Sequence, residues 1–470
     1  MATTKDDLRG QWANPGDILS ILLLIGGDIV QKAIAQLVGH RIHLYGNWGF
    51  PIAPVAFSFG WAAYGFSNLL SAVGDMRLMP ASDCPSVLVN CSNAFARENK
   101  SWILGRLLRD HEIRYEVDAR SKEEGGRAES IRIDIFNLPP VSSPSRDFVW
   151  WLGWAILLLQ IGIAVIPWAL YDDWGIMMIT LCGNFLVAAT CALPQWTQEK
   201  WGGPQLTRDK VTCLTRGNGH LHIMVFIGTR GSWDLERLAN RTSVPRQETR
   251  WISLLLAVLW TCLLISVSGL QENTWFLIGI GGIGMLQNVF AAGTPREPGA
   301  SNLHMTRFSR APTIIGRREK YRDDIDAKVD LDEDLKELTD VSAWVSENQK
   351  TSPMPQWLAS MASSDGVPSW LEPLKPVQSD EATKINNEAD GIVYAVGVHG
   401  ALIELEKWVP TAGLAMAQMF FPAGLKYNDE AIRDNVHKKF WQRAYHTKSI
   451  RKRAEEKRRA EENTRALTGV

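Results

Sequence analysis

Six apolar stretches, arranged as three close pairs, constrain this chain more than any other feature. They lie near Ile18–Val38, Trp48–Gly74, Phe148–Leu170, Trp174–Leu193, Trp251–Leu270 and Thr274–Ala292. A helix needs roughly 20 apolar residues to cross a hydrocarbon core about 30 Å thick, and each stretch approaches that length. The expected fold class is an α-helical polytopic membrane protein with about six transmembrane helices in three pairs. Mean hydropathy over the whole chain is only −0.10, because the charged residues gather outside the six stretches. The expected divisions are residues 1–75 with the first pair, a loop over 76–147, the second pair over 148–194, a loop over 195–250, the third pair over 251–293, and a tail over 294–470.

Loop charge sets the expected orientation, because Lys and Arg in juxtamembrane loops resist translocation. The turns Tyr171-Asp172-Asp173 and Gln271-Glu272-Asn273 contain neither, whereas the two long loops are basic, with Arg106, Arg109 and Arg114 among many. Both loops and both termini are therefore expected in the cytoplasm. Three glycosylation sequons, at Asn90, Asn99 and Asn240, fall in those same loops, and charge bias outranks a three-residue pattern that arises easily by chance. The N-terminus has no signal-peptide pattern, so the first helix is expected to stay as an uncleaved anchor. Trp150, Trp151 and Trp154 open the third stretch and Trp168, Tyr171 and Trp174 close it, the distribution expected of aromatic belts at two interfaces.

The loops also contain strand patterns. Glu112–Val117 and Ser130–Phe136 alternate as a hairpin with a long tip, and Lys210–Thr215 and His220–Ile227 flank an Asn218-Gly219 turn signal. Ser86–Cys91 adds a fifth strand, and Trp102–Asp110 and Asp234–Asn240 are the expected helices beside them. A lone hairpin is marginal in water, so the two loops are expected to share one composite cytoplasmic β-rich subdomain. In the helical cytoplasmic tail, Arg317–Lys350 has a helical stripe, Thr351–Pro376 is a Pro/Ser-rich linker, and Lys448–Arg465 is a basic helix suited to anionic lipid. Trp408–Leu425 is uncharged but bracketed by Pro410 and Pro422, which favours a helix lying on the membrane or on the β subdomain over a seventh crossing.

Ser71-Ala-Val-Gly-Asp75, Arg77-Leu-Met-Pro80, the run from Ser101 to Asp110 and Leu214-Thr-Arg-Gly-Asn-Gly219 form a recognisable string, as do Gly16–Ser20 and Ile25–Gln31. On these residues the chain resembles an uncharacterised group of fungal multi-pass integral membrane proteins. The resemblance implies the polytopic fold over roughly the first 300 residues, and it carries no activity, ligand or site.

Chemistry-bearing residues are few. Asp28, Lys32 and Gln36 share one face of the first helix at i, i+4, i+8, where a charge at membrane depth reads as an ion or proton relay, a structural ion pair, or a snorkelling lysine. Gly279, Gly282 and Gly284 match a dinucleotide fingerprint in form only, since no strand precedes them, and they read as a helix-packing face. His220 and His222 lie two apart in an expected strand without a third ligand, and the six cysteines follow no metal or disulfide spacing. No catalytic motif, metal site or cofactor site is read. The expected partners are the lipid bilayer and a cytoplasmic protein, not nucleic acid. Function reads as a membrane-anchored scaffold or sensor acting through the β subdomain and tail. The alternative is an ion or solute conduit using the Asp28/Lys32 face, and a membrane-embedded enzyme stands third.

Overall fold

A computed structural model describes residues 26–45, 48–74, 77–117, 128–240, 246–270, 272–308, 312–317, 392–409 and 411–421. The chain begins with α1 (Gly27–Leu37), a hairpin of β1 (His40–Tyr45) and β2 (Trp48–Ile52), and α2 (Trp61–Val73). β3 (Val87–Asn90), β4 (Phe95–Glu98), α3 (Trp102–Arg114) and β5 (Glu129–Leu138) follow. The pair α4 (Phe148–Tyr171) and α5 (Gly175–Cys191) leads through α6 (Pro194–Lys200) to β6 (Lys210–Thr215), β7 (His222–Gly228) and α7 (Leu235–Asn240). Last come α8 (Gln247–Ser268), α9 (Thr274–Gly293), β8 (Thr306–Arg307), β9 (Thr313–Arg317), β10 (Ile392–Val396), α10 (Gly397–Trp408) and α11 (Ala412–Phe420).

Among the described residues, α4, α8 and α9 are long and apolar enough to cross a membrane, and a fourth span results if α5 and α6, bent by 46°, count as one. The bend follows Pro194, which has no N–H to continue the ladder. The second apolar stretch is not one helix, which corrects the expectation for Trp48–Gly74. It consists of β2, a non-helical segment over 53–60, and the 13-residue α2. Pro51 and Pro54 block helix continuation, and Gly60 enters α2 at φ +90°, which only glycine adopts without strain. The first stretch is likewise helical only from Gly27, after Gly26 at φ +93°, and its portion before residue 26 lies outside the described residues.

The bundle exposes apolar side chains along its length, including Leu158, Phe185, Leu255, Val258, Ile265 and Leu286. Exposed aromatics rim both ends: Phe148, Trp151 and Trp251 at one, and Trp168, Tyr171, Trp174 and Trp275 at the other. At the latter end the α4–α5 and α8–α9 turns meet, with the Asn273 amide donating to Asp173 at 3.1 Å.

One sheet runs in the order β10-β9-β5-β7-β6-β3-β4, with β8 also on β5. Strands from both long loops and from the tail meet in it, so the helical pairs α4/α5 and α8/α9 leave it and return to it. β5 shows why both faces are covered: Ile131, Ile133 and Ile135 point to one side and Asp134, Phe136 and Leu138 to the other. The first side packs under Leu402, Leu405, Ala412 and Met416 of α10 and α11. Leu104, Leu108, Leu235 and Leu238 of α3 and α7 cover the second. The segment from Trp408 therefore lies on the sheet, where Glu406 accepts the backbone N–H groups of Thr411 and Leu414 at 2.9 and 3.0 Å and caps α11.

Two strand expectations are corrected. Glu112–Val117 is no strand: Leu104, Leu107, Leu108 and His111, at helical spacing, carry α3 through Arg114, and β5 pairs with β7, β8 and β9 instead. The β6–β7 connection is a six-residue loop (221 − 216 + 1) between Thr215 and His222, not a two-residue Asn-Gly turn. Gly217 as well as Gly219 takes positive φ there, so His220 sits exposed in the loop while His222 is buried in β7, and the two histidines do not share a strand face. The expected tail segments Thr351–Pro376 and Lys448–Arg465, and all but the first residue of Arg317–Lys350, lie outside the described residues.

Candidate functional site

Where apolar helices surround it, a non-helical backbone needs a partner for every N–H and C=O. Segment 53–60 runs through the bundle in that condition, with Val55, Ala56, Phe57 and Ser58 all buried. Four amide side chains clamp it. Gln160 of α4 donates to Phe57 O at 2.6 Å and to Ile280 O at 2.9 Å. The Phe57 N–H donates to Asn184 of α5 at 3.2 Å. Gln287 of α9 donates to Pro54 O and accepts the Ala56 N–H, at 3.3 and 3.2 Å. Asn288 reaches Ala56 O and the Ser58 hydroxyl, at 3.3 and 2.7 Å. Space for the segment comes from glycines: a Cβ would stand 2.1 Å from Pro54 O at Gly153, 2.7 Å from the Phe57 ring at Gly183, and 2.0 Å from Phe57 O at Gly284.

At the end of the bundle nearest the sheet lies a buried charge junction. Helix C-termini leave carbonyls without partners and attract cations. The ammonium of Lys200 donates to Gln36 O and Val38 O at the end of α1, at 3.0 and 2.9 Å. Arg296, just past α9, also donates to Gln36 O and forms a fork with both Asp147 oxygens at 2.7 Å. Burial alone would raise the Asp147 carboxyl, but the hydrogen bonds and charge of Arg296 hold it below the ordinary range. Asp147 also caps α4 by accepting the Trp150 N–H at 3.1 Å. Arg106 of α3, almost fully buried, donates to Ala292 O at 2.6 Å and Thr294 O at 3.2 Å at the end of α9, and pairs with Asp83 and Asp110. In the amide orientation that its hydrogen-bond surroundings require, Gln36 presents its oxygen 2.9 Å from both Nε and Nη2 of the same guanidinium, and Arg109 adds a bond to Gly293 O at 2.8 Å. Glu199 accepts the Met79 N–H at 2.8 Å. One polar layer thus ties the ends of α1, α4 and α9 to α3 of the sheet layer. Comparison with protein-family models, with curated proteins and with solved structures gave no match for this chain.

The sequence-derived residues divide between these features. Asp28 is exposed near the start of α1, Lys32 is half-buried, and Gln36 is buried in the junction; Asp28 and Lys32 make no ion pair with one another. Gly284 abuts Phe57, Gly282 lies at ordinary contact from Phe59, and nothing lies within 4 Å of a Cβ at Gly279. Sequence reasoning missed the four amides, although an uncharged polar residue inside an apolar stretch was the available signal. It also missed a third cluster, on the sheet face under α3. There Asp134 accepts from His111 at 2.9 Å, Arg132 at 2.8 Å and Thr313 at 2.6 Å. Burial would raise this carboxyl, but His111 and Arg132 hold it far below the usual range. The Thr313 hydroxyl donates into Asp134 rather than to His111, so the cluster ties β5 and β9 of the sheet to α3.

This burial predicts acid sensitivity. Burial, with the charges of His111, Arg132 and Arg216, pushes His222 down to about 4 from 6.5, and burial with Lys200 and Arg296 does the same to His40. Above pH 6.5 both are neutral whether the chain is folded or not. Between 6.5 and about 4 the unfolded chain binds protons that the folded chain refuses, so stability falls as pH falls. Melting of the detergent-solubilised protein should shift downward across that window, and His222→Gln should remove part of the shift. A midpoint unchanged between pH 7 and 5 would contradict the burial of both rings.

Proposed function

We propose that the chain is a multi-pass membrane protein acting as a sensor or scaffold, in which a cytoplasmic sheet domain is keyed to the bundle and reads out its arrangement. The apolar surface between two aromatic rims supports membrane placement. Loop charge supports a cytoplasmic sheet. So do two of the sequons: Asn99 is buried and donates to Ser86 and Ser101, and Asn90 donates to Glu236, so a glycan on either would have to break these bonds. With four crossings by α4, the bent α5–α6 pair, α8 and α9, the segments before α4 and after α9 share that side.

The observation that carries the sensor reading is the junction, above all Arg106. Its guanidinium belongs to a helix packed on the sheet, yet it holds the last carbonyls of α9 and the Gln36 amide of α1. Displacing either helix end must move α3 or strand a buried charge, and stranding costs several kcal/mol. A two-way element of this kind transmits arrangement between layers.

The test loosens the bundle and reads the sheet. In full-length protein in nanodiscs, Gln160→Met removes the clamp on Phe57. Hydrogen exchange at 102–114 should then rise severalfold, and the added pair Arg106→Gln, Arg109→Gln should uncouple that rise from the clamp. Exchange at α3 that ignores Gln160→Met would overturn the reading.

One observation favours a conduit as the second reading. Segment 53–60 is a re-entrant backbone at membrane depth, and α1 and α2 both begin beside it, as half-helices do around transporter sites. Against it, the groups lining that segment are neutral amides, and Asp28 and Lys32 are not among them.

A further inference from the structure

α2 and α8 run antiparallel, because Asn68 bonds Ser253 at 3.3 Å while Trp61 stacks on Trp260 with ring centroids 5.4 Å apart. The last turns of α2 and the first of α8 therefore share the end of the bundle nearest the sheet. There the two helices leave an open groove of about 580 Å³ between Phe66, Leu70 and Val73 on one wall and Trp251 and Leu254 on the other. Leu70 and Trp251 are 74% and 73% exposed, and these apolar walls continue into the exposed stripe of Leu255 and Val258. Among the described residues, the polar side chains lining it are Gln247 and Arg250, in the first turn of α8. Among the described residues Arg250 makes no ion pair. The nearest carboxylate in sequence, Glu248, is engaged by Arg246 at 3.4 Å.

We propose that this groove is a lipid site, holding an acyl chain of an anionic phospholipid whose net negative headgroup is met by Arg250. The proposal rests on the membrane placement above. Three features select this occupant. The walls are apolar and open sideways along the bundle, where a chain can enter from a bilayer but a folded partner meets hydrocarbon. Arg250, without an ion pair among the described residues, stands at the end of the groove that loop charge assigns to the cytoplasmic leaflet, which carries the anionic lipids. Trp251, beside Arg250, has the amphipathic ring that settles at headgroup level.

The experiment uses the full chain. Carbonate extraction of membranes comes first: protein released into the supernatant overturns the membrane placement itself. Protein that stays with the membrane is purified in mild detergent, mixed with equal amounts of phosphatidylserine and phosphatidylcholine, and weighed by native mass spectrometry. Wild type should retain the serine lipid about fivefold over the choline lipid, the factor expected of one surface cation facing anionic headgroups. Arg250→Gln should bring the ratio to parity, Arg250→Lys should preserve it, and Leu70→Trp, which fills the groove, should lower retention of both lipids. A preference that survives Arg250→Gln overturns the proposal. So does lipid-free protein that dimerises until Leu70→Trp separates it, because the groove then belongs to a second copy.

Discussion

Arg296→Met should be among the most damaging single changes outside the bundle core, costing about 3–5 kcal/mol. Its guanidinium is almost entirely buried and supplies the fork to Asp147 as well as one of the bonds to Gln36 O. Removing it strands the largely buried Asp147 carboxylate without its ion-pair fork, although Gln36 O keeps Lys200. Asp147→Asn is the informative companion. It removes the charge while keeping a side-chain oxygen for the Trp150 N–H, so the cap on α4 survives. The double variant Arg296→Met, Asp147→Asn should therefore recover much of what Arg296→Met alone loses, giving a coupling well above the ~0.5 kcal/mol at which independent sites add. Melting of the four proteins in one detergent measures it. An Arg296→Met protein as stable as wild type would mean that the junction is open to water.

What the sequence made legible, and what it hid, follows from which physical signals are local. Hydropathy found α4, α8 and α9 because a long uncharged run leaves few alternatives. The same sums misjudged Trp48–Gly74, since Pro51 and Pro54 count as mildly apolar while removing the N–H groups that a helix needs. Strands β6 and β7 were visible as two runs flanking the Asn218-Gly219 signal, but α3 absorbed Glu112–Arg114 because its buried face continued at helical spacing. The junction was present in the sequence only as loop charge. Arg106 meets Ala292 across 186 positions and Arg296 meets Gln36 across 260, and no local pattern encodes such pairs. The amide clamp was hidden differently. Gln160, Asn184, Gln287 and Asn288 lie inside apolar stretches, where one neutral amide barely lowers a hydropathy sum and adds no charge pattern.

The clamp supplies the sharpest test of the bundle, because three glycines on one helix face three different surroundings. Alanine at Gly279 meets nothing within 4 Å, and at Gly282 its Cβ would lie 3.9 Å from the Phe59 ring, an ordinary contact. At Gly284 the Cβ would stand 2.0 Å from Phe57 O, 2.7 Å from Gln160 Nε2 and 2.9 Å from Phe57 C. Two of those atoms are backbone and the third is the donor that holds that backbone, so no flexible side-chain end is there to give way. Segment 53–60 would have to withdraw, and its carbonyls would then lose the amides that satisfy them. Helix propensity favours alanine over glycine by about 1 kcal/mol at all three positions. Gly279→Ala and Gly282→Ala should therefore be neutral or slightly stabilising. Gly284→Ala should lose at least the 1–3 kcal/mol typical of overpacking, with the unpaired carbonyls adding to it. Folded yield and melting temperature after detergent extraction separate the three. Equal tolerance at all three positions would show that the segment does not pass between α4 and α9, and the re-entrant backbone on which the conduit reading leans would go with it.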